Sequence, residues 1–560
     1  MSLLDDVSIV VTPNGYKAGE LYAVIPSDGA ADMDVTRATA ATRVDENGLV
    51  NYAEVVSDTE LVTNGDFATD SNWNKGTGTT ISGGTANLSN ATAIGLYQDI
   101  GIQSAFVKVT FDVTNYTSGT LNVYSGSNQS ITNINVVANA VGNYVAYVDR
   151  NGGNVNIVFG SIDGFTGSID NVSIKEVTRD NVPRIDYTGG GGPHILAEPQ
   201  RTNLIQYSED LSTYLTTGTT VSTITETSPI ESVTPFLITE TATSKQHYIG
   251  GNSVSLSGNN TIYCFVKNVS SGRYFKMWGL GLGGANEAVI FDTNTETIYE
   301  PPTSTLYVVG SAKLEDYSNG WFRCSITVNT TITNSIAIGL INTVSGFGND
   351  EYLGDITKSV LITGVQLEAG SYPTSYIPTS GSAVTRNQDQ FTRDGIGSLI
   401  NSTEGVLFVE MAALANDGTF RNMSLNDGTT GQAVRIYYRN QANKITVFIS
   451  SSSNGTVNVD VTNTLNFNKI AISYKVNDVK VFINGSLEAT ITNVAMPVGL
   501  NTLSFDRGNN LLPFFGKVKQ LQVYDTALTD NQLIQLTGEA GTHFFESYAE
   551  MASALTYTIQ

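Results

Sequence analysis

Aromatic side chains are the residues of this sequence whose chemistry points most directly to a ligand. A sugar ring needs an exposed aromatic face for its apolar side, flanked by groups that form hydrogen bonds. Five aromatic residues are candidates for that contact: Trp73, Tyr97, Trp278, Tyr437 and Tyr438. Because Tyr437 and Tyr438 are adjacent, one of the two should face outward on a strand. Burial in the hydrophobic core is the competing interpretation for each of these rings.

The charged residues exclude some functions. Lys and Arg total 29 against 52 Asp and Glu, so the net charge is −23. A surface of this sign repels phosphates, which argues against nucleic acid and anionic lipid as partners. Oxygen ligands are plentiful, which makes calcium the better metal candidate. Among 52 acids, some pair of carboxylates will always have the separation found in glycosidases, so such a pair is no evidence for that activity.

Catalytic and cofactor motifs are missing from the sequence. The only histidines are His194, His247 and His543, and none lies at a recognisable spacing for a transition-metal site or a Ser-His-Asp site. The run Gly189–Gly192 lacks the Gly-Lys-Ser of a phosphate loop. No parallel β-helix repeat of the kind found in many capsule depolymerases is visible. We therefore predict a protein that is not an enzyme.

The elements that must position these residues are mostly short strands. The chain has 560 residues, enough for several domains, and only 14% of them are charged. Apolar and polar residues alternate over Val107–Val113, as in a strand with one buried face. Asn484-Gly485 separates two further strands and suits a tight hairpin, because both positions must accept a positive φ. Near the end of the chain, Thr529 followed by Gln532 predicts the start of a helix.

The sequence predicts no targeting segment and no disulfide bond. Met1–Asp6 carries acids where a secretory signal needs a basic region, and no run of about 18 apolar residues is present. We expect neither a secretory signal nor a membrane-inserted segment. Cys264 and Cys324 lie among residues typical of strands, and we interpret both as buried thiols.

Two segments resemble each other and are interpreted as two copies of one fold. The first opens with Leu61–Phe67 and closes with Ile169–Glu176, and the second opens with Leu204–Leu211 and closes with Ile362–Glu368. In a jelly-roll sandwich the first and last strands of the domain lie side by side. This explains why each copy has one motif where it opens and another where it closes, about one domain length later. A third β-rich unit covers Glu404–Ala527. The predicted fold class is all-β, with tandem antiparallel β-sandwiches and a short helical C-terminus.

Several strings resemble a sequence frame common in the virion proteins of tailed phages. They are Arg37–Val44, Val182–Tyr187, Glu198–Leu204, Asn319–Arg323 and Gln366–Thr379. In that frame the piece ending near Val50 usually continues almost directly into Pro-Arg-Ile-Asp-Tyr, so the first jelly roll looks like an insertion. Through its opening and closing motifs, that jelly roll resembles a carbohydrate-binding module. Glu404–Ala527 resembles a concanavalin A-like, laminin G-like lectin domain.

The resemblance implies a division of the chain. It gives a virion-anchoring segment at 1–58, an inserted carbohydrate-binding-like module at 59–178, a return segment of the anchor at 179–202, a second jelly roll at 203–380, a linker at 381–403, the lectin domain at 404–527 and C-terminal helices at 528–560, the last of them near 547–555. It also implies a structural calcium ion in the inserted module. Asp66 and Asp170 are the implied ligands, although Ala68 stands where an acid often occurs in such modules.

The function implied by the resemblance is that of a structural virion protein, fibre-like or spike-like, that presents carbohydrate-binding sandwiches to the host surface. Its partners are then other virion proteins, bound through the N-terminal segment, and a host surface polysaccharide. A homotrimer is implied as well, made in the host cytoplasm and located in the virion. The alternative is a capsid or tail decoration protein with a purely structural role and no glycan ligand, in which the candidate aromatic rings are buried.

Overall fold

The computed structural model describes residues 3–538 except 102–105, 127–136, 150–155, 190–191, 252, 269, 281–286, 318, 332, 349 and 451–454. Nearly all regular structure in this part of the chain is antiparallel β-sheet, so the all-β prediction is confirmed. The helix predicted near 547–555 and His543 lie outside the described residues. None of the described helices is long and apolar enough to cross a bilayer.

The chain divides into two compact units. Residues 54–179 form the first, which we call the inserted unit, and the chain before residue 54 joins the chain after residue 179 to form the second, the larger unit. The module predicted as an insertion spans 59–178, and each unit has its own hydrophobic core.

The inserted unit is a sandwich of two sheets whose facing residues, among them Val107, Phe111 and Phe159, meet in its core. In hydrogen-bonded order, one sheet contains Gly142–Asp149, Phe106–Ser118, Phe165–Thr178, Thr85–Ala91 and Thr79–Ser82, with Val55–Glu60 also paired to Phe165–Thr178. The other contains Val137–Ala138, Leu121–Ser125, Asn156–Gly160, Leu96–Asp99 and Asn74–Lys75. The predicted alternation over Val107–Val113 is confirmed, because every second residue there is buried. The opening and closing segments of the module therefore lie side by side.

Residues 203–380 of the larger unit form a second two-sheet sandwich with its own core. One sheet runs Leu215–Thr217, His247–Gly250, Thr333–Ile341, Tyr274–Leu280, Ala288–Asp292 and Thr297–Tyr299, with Val254–Ser255 paired to Thr333–Ile341. The other runs Thr219–Thr223, Phe236–Glu240, Ser359–Ala369, Asn259–Asn268, Phe322–Asn329 and Lys313–Asp316. Shorter elements are the strand pairs Ser244–Lys245 with Tyr352–Leu353 and Arg201–Asn203 with Val384–Arg386, and the 3-10 helix Leu211–Thr213. Cys264 and Cys324 lie opposite each other on neighbouring strands. Both are free and buried, as the interpretation from sequence expects.

The lectin-like sandwich is one long sheet that folds over its main hydrophobic core, and a second, smaller apolar cluster includes Leu533 and Leu536 of the C-terminal helix. Its strands, in hydrogen-bonded order, are Thr456–Asp460, Lys444–Ile449, Ala433–Tyr438, Arg421–Asn426, Thr502–Ser504, Gln390–Arg393, Met33–Thr36, Glu20–Ile25, Val7–Lys17, Gly516–Tyr524, Glu404–Ala413, Asn468–Lys475, Val479–Ile483 and Ser486–Ile491. His194–Ala197 pairs with Gly516–Tyr524 and with Ile185–Asp186, and Thr42–Val44 pairs with Val50–Tyr52. A short helix covers Leu3–Asp6.

Local predictions in the last third of the chain are confirmed. Asn484 and Gly485 have φ values of 49° and 85° and join two paired strands. The helix Asp530–Thr537 is capped by Thr529, whose hydroxyl accepts a hydrogen bond from the Gln532 backbone while the Gln532 side chain accepts one from the Thr529 backbone. Leu533 and Leu536 are its buried face.

The first strands of the chain are part of the lectin-like sheet. Val7–Lys17 pairs with Gly516–Tyr524 on one side and with Glu20–Ile25 on the other. Ile9 and Leu21 are fully buried in the core of the lectin-like sandwich. The segment interpreted from sequence as an anchor thus contributes strands whose edges are already paired.

Residues 381–403, interpreted from sequence as a linker, also contain structure. Val384–Arg386 and Gln390–Arg393 are strands, and Asp389 between them is buried. Arg37 Nη1 donates to Asp389 Oδ1 at 2.7 Å, and Arg184 donates to the other oxygen of the same carboxylate. These contacts tie the segment into the larger unit through a buried carboxylate.

We call the buried charges around this carboxylate the Asp389 network; it comprises Arg37, Arg184, Glu198, Arg386 and Asp389. Glu198 accepts from Arg184 Nη1 at 2.6 Å and lies 2.8 Å from Arg386 Nη1. Burial alone would raise the pKa of Glu198, but the charges of Arg386 and Arg184 lower it to about 2. Burial would likewise raise the pKa of Asp389, and Arg184 and Arg37 hold it below its ordinary value. Both carboxylates are therefore ionised and paired inside the protein.

Removing one partner from this network should be strongly destabilising. We expect Asp389→Asn to lower the unfolding free energy of the larger unit by about 3–5 kcal/mol, because it leaves two buried guanidinium groups short of a counter-charge. Chemical denaturation followed by tryptophan fluorescence measures the loss. Glu404→Gln, which breaks the exposed pair with Lys475, is the matched control and should be close to wild type. Equal losses in the two variants would contradict a special role for the network.

The network should also make stability depend on acid. Because the pKa of Glu198 is about 2 in the folded protein and about 4.3 in an unfolded chain, its contribution is complete above the unfolded value. It is lost as the pH falls from there through the folded value. We expect the melting temperature of the larger unit to drop over this window. Glu198→Gln should start lower at neutral pH and fall less steeply, and parallel curves for both proteins would refute the assignment.

Candidate functional site

Trp73 of the inserted unit is a core residue. Its side chain packs against Phe67 and Phe159, with ring centroids 5.3 and 6.2 Å away. The indole Nε1 donates to the Asn64 carbonyl at 2.9 Å, and the residue is only 6% exposed. Neither ring face is open to a sugar.

The two acids implied as calcium ligands serve the local backbone. Asp66 accepts a hydrogen bond from the Ala68 backbone at 3.3 Å, and Asp170 accepts one from the Asn171 backbone at 2.7 Å. Among the residues that the structure describes, no three His, Cys, Asp or Glu side chains come together in a way that could hold a metal ion. The geometry therefore gives no positive support for a calcium site at these acids.

Tyr97 and Trp278 differ in accessibility. Tyr97 is half-buried on Leu96–Asp99, opposite Asn74 and Val158 of the neighbouring strands. Trp278 is 5% exposed, contacts Tyr248 edge to face at 5.2 Å and lies 4.9 Å from the ammonium group of Lys276. Of the two, only Tyr97 retains an open surface.

Tyr437 and Tyr438 point to opposite sides of their strand. Tyr438 is 3% exposed and stacks on Phe514 in the core of the lectin-like sandwich. Tyr437 is half-buried on the other side of the sheet. The strand is held between Arg421–Asn426 and Lys444–Ile449, whose inward residues fill the same core. This packing decides which of the two tyrosines faces outward.

The outward side of these strands carries a group of aromatic, basic and amide side chains that we call the Tyr437 face; it consists of Phe420, Arg435, Tyr437, Arg439, Phe448 and Asn458. The rings of Phe420 and Tyr437 are stacked, with centroids 6.2 Å apart and an angle of 27°. Arg435 lies 6.0 Å from the Tyr437 ring and 4.2 Å from the Phe448 ring. Such flat apolar surface beside fixed polar groups suits a sugar ring.

Hydrogen-bonding groups complete one end of the Tyr437 face. Arg439 Nη1 donates to Asn458 Oδ1 at 2.7 Å, and the Thr446 hydroxyl donates to the same oxygen at 2.8 Å. Asn458 is exposed, so its amide nitrogen and the remaining Arg439 donors are available for ligand hydroxyl groups. At the edge of the face, Lys444 and Asp460 form an exposed ion pair at 2.7 Å.

Arg435 has an unusual electrostatic environment. Burial lowers its pKa to about 10, and the nearby charge of Arg507 acts in the same direction. Its Nη2 donates to the Thr430 carbonyl at 3.1 Å, whereas Nε is buried without a hydrogen-bond partner in the described part of the chain. Arg435 is therefore a buried cation whose hydrogen-bonding capacity is only partly used within the described part of the chain.

Sequence reasoning identified Tyr437 and missed its neighbours. Arg435 is two residues before Tyr437, so the period of two on a strand places both on one side. Phe448 and Asn458 come from the next two strands of the sheet, and that pairing is invisible in a local pattern. Arg435 and Arg439, two residues before and two residues after Tyr437, are the neighbours that this period could have identified from the sequence.

The larger unit also contains a polar cavity of about 180 Å³ between the second sandwich and the lectin-like sandwich. Asp186, Glu198 and Glu315 are the carboxylates in its wall. Burial would raise the pKa of each, yet His194 lowers that of Asp186, Arg386 and Arg184 lower that of Glu198, and Arg323 lowers that of Glu315. A glycosidase needs a carboxyl group that stays protonated near neutral pH, so these three are unsuited to that role.

The lectin-like segment matches one family model. Residues 407–534 match the family model described as the concanavalin A-like lectin/glucanases superfamily. The match includes every residue of the Tyr437 face. A comparison with curated protein sequences finds no match.

Solved structures with a partial likeness are carbohydrate-binding modules and a related domain. A module of the Ruminococcus gnavus IT-sialidase bound to α2,3-sialyllactose is 19% identical, with 25% of this chain and 84% of that chain covered and a TM-score of 0.22. Domain 4 of a Geobacillus stearothermophilus arabinanase in complex with arabinotriose is 18% identical, with 27% and 73% covered and a TM-score of 0.23. A tandem module of Paenibacillus barcinonensis Xyn10C is 10% identical, with 56% and 99% covered and a TM-score of 0.19. Likenesses this weak carry no argument about ligands.

The opposite placement of the two adjacent tyrosines can be measured directly. Tyr438→Ala should destabilise the lectin-like sandwich by about 3 kcal/mol or more, because it opens a cavity in a packed core. Tyr438→Phe should have little effect, because the buried hydroxyl has no partner among the described residues. Tyr437→Ala should leave the melting temperature near that of wild type. A larger loss for Tyr437→Ala than for Tyr438→Ala would contradict the assigned orientation.

Proposed function

We propose that the protein is a non-catalytic, glycan-binding component of a tailed-phage particle, and that it attaches the particle to a host surface polysaccharide. The observation that carries the glycan-binding part is the Tyr437 face. It places stacked aromatic rings beside guanidinium and amide donors, within a segment that matches a lectin superfamily.

The phage part of the proposal rests on the sequence strings that resemble virion proteins. Arg37, Arg184 and Glu198 of those strings meet in the Asp389 network. The strings therefore contain residues that hold the larger unit together, and the resemblance of the strings to virion proteins is what supports this part of the proposal. Location in the virion and docking of residues 1–58 on other virion proteins belong to the same proposal.

Several sites per particle would strengthen attachment. A shallow face on one sandwich gives a weak contact, and a homotrimer displayed in several copies multiplies the effective affinity without any new contact. Tyr97 on the inserted unit is proposed as a second, independent contact, because its ring stays accessible while Trp73 is buried.

The alternative function, a decoration protein without a glycan ligand, is favoured by a different observation. Trp73, Trp278 and Tyr438 are all buried, as that interpretation expects. It gives no role to the accessible rings of the Tyr437 face, which is why we rank it second.

Binding to a glycan array by the full chain tests the proposal. We expect selective binding to one class of polysaccharide, weakened about tenfold or more by Tyr437→Ala and largely kept by Tyr437→Phe, because the ring supplies the contact. Tyr22→Ala is the matched control, since Tyr22 is also half-buried with a cation near its ring, Lys17 at 5.9 Å. Chelation of calcium should leave binding at the Tyr437 face unchanged.

The outcomes separate the two functions. A blank array from folded protein would remove the glycan-binding proposal and favour decoration. Binding that Tyr437→Ala leaves intact and Tyr97→Ala abolishes would move the site to the inserted unit. Equal losses for Tyr437→Ala and Tyr22→Ala would assign the effect to a general change in the larger unit.

A further inference from the structure

Arg435 differs from the other buried arginines of the described chain in its lack of a counter-charge. The others each lie within ion-pair distance of a carboxylate: Arg37 with Asp389, Arg184 with Asp389 and Glu198, Arg323 with Glu315, Arg386 with Glu198 and Arg421 with Asp417. Arg435 is 3% exposed, and no carboxylate in the described chain pairs with it. Residues 451–454, outside the described part of the chain, have the sequence Ser-Ser-Ser-Asn, which contains no acid.

A buried cation of this kind is costly, and its contacts within the chain do not offset the charge. Within the described chain, these contacts are one hydrogen bond to the Thr430 carbonyl, the Phe448 ring at 4.2 Å and the Tyr437 ring at 6.0 Å. Isolated buried charges are normally neutralised by a partner, and an apolar residue of similar size usually serves stability as well or better. The charge of Arg435 therefore has no evident structural purpose.

A second basic residue lies near the first. Gly508, the residue after Arg507, packs against the backbone of Thr429 and Thr430, and the Thr430 carbonyl accepts the hydrogen bond from Arg435. The charge of Arg507 accordingly lowers the pKa of Arg435. The Arg507 side chain is exposed and forms no ion pair within the described residues. Two guanidinium groups that repel each other gain stability together when one anion lies between them. The planar fork of a guanidinium fits the paired oxygens of a carboxylate or a sulfate.

We propose that Arg435 and Arg507 bind an oxyanion of the glycan ligand, so that the ligand is an acidic polysaccharide carrying carboxylate or sulfate groups. This inference rests on the proposed glycan-binding function. The sugar ring lies against Tyr437 and Phe420, and its acidic substituent reaches the two arginines. Asp460 at the edge of the face does not oppose this, because it is paired with Lys444.

The test compares acidic polymers with neutral polymers of the same backbone. Full-length protein is titrated against polygalacturonate, alginate and hyaluronate, each beside its carboxyl-reduced form, and against dextran sulfate beside dextran. We expect binding to at least one acidic polymer and much weaker binding to its neutral form. Arg435→Met should weaken the acidic interaction about 30-fold or more, the usual loss when one member of a buried charge pair is truncated. Carboxylate polymers and dextran sulfate distinguish the two sources of the oxyanion.

A stability measurement separates a binding role from a structural one. Arg435→Met should have a melting temperature equal to or above that of wild type, since it removes an unneutralised buried charge and keeps an apolar chain against Phe448. Arg421→Met is the matched control on the neighbouring strand. It leaves Asp417 without its partner, so it should lower the melting temperature while keeping the preference for acidic polymers.

Four results would overturn the inference. They are equal affinity for acidic and neutral polymers, unchanged affinity of Arg435→Met, a marked loss of stability in Arg435→Met, and binding to neutral glycans alone. In the last case, loss of that binding in Tyr437→Ala would leave the proposed function standing and remove only the acidic ligand. Absence of binding to any glycan would refute both proposals together.

Discussion

The Asp389 network is the interaction on which the rest of the larger unit depends. Its charges come from three distant stretches of chain, represented by Arg37, by Arg184 with Glu198, and by Arg386 with Asp389. A buried charge that loses its partner costs several kcal/mol, so the network is favourable only when all three stretches are in place. It therefore links the N-terminal strands, the return segment and the stretch before the lectin-like domain into one cooperative body.

The same assembly explains how a whole module is accommodated between residues 53 and 180. In the larger unit, the Arg37 backbone donates to the Asn181 side chain at 2.7 Å, and the Asn181 backbone donates to the Arg37 carbonyl at 2.8 Å. The chain that follows the interruption is thus held against the N-terminal segment by contacts within the larger unit. The inserted unit closes its own ends, because Arg179 pairs with Glu54 at 3.0 Å. Insertions at points that already lie close together are well tolerated.

What could be predicted from the sequence is set by how local each interaction is. The strand around Val109, the Asn484-Gly485 turn and the cap at Thr529 depend on neighbours in the chain, and all are found as expected. Arg37 and Asp389 are separated by 352 positions, so the sequence alone assigns them to two unrelated parts, an anchoring segment and a linker. Prediction of the candidate site is limited in the same way. The alternation of a strand places the side chains of Tyr437 and Tyr438 on opposite sides of the sheet, but only the packing of Tyr438 on Phe514 decides which of the two reaches the surface.

Charge balance connects the architecture to the proposed ligand. The fold gives a carboxylate to each buried arginine that holds segments together, such as Arg184, and gives none within the described chain to Arg435. On a protein with a net charge of −23, most of the surface repels an acidic polymer over about a Debye length. A small basic area beside Tyr437 then provides orientation as well as affinity, because approach at any other angle is opposed. For the proposed acidic ligand, this arrangement favours contact with the lectin-like face. It also makes the proposed attachment sensitive to salt, which stacking on aromatic rings alone would not do.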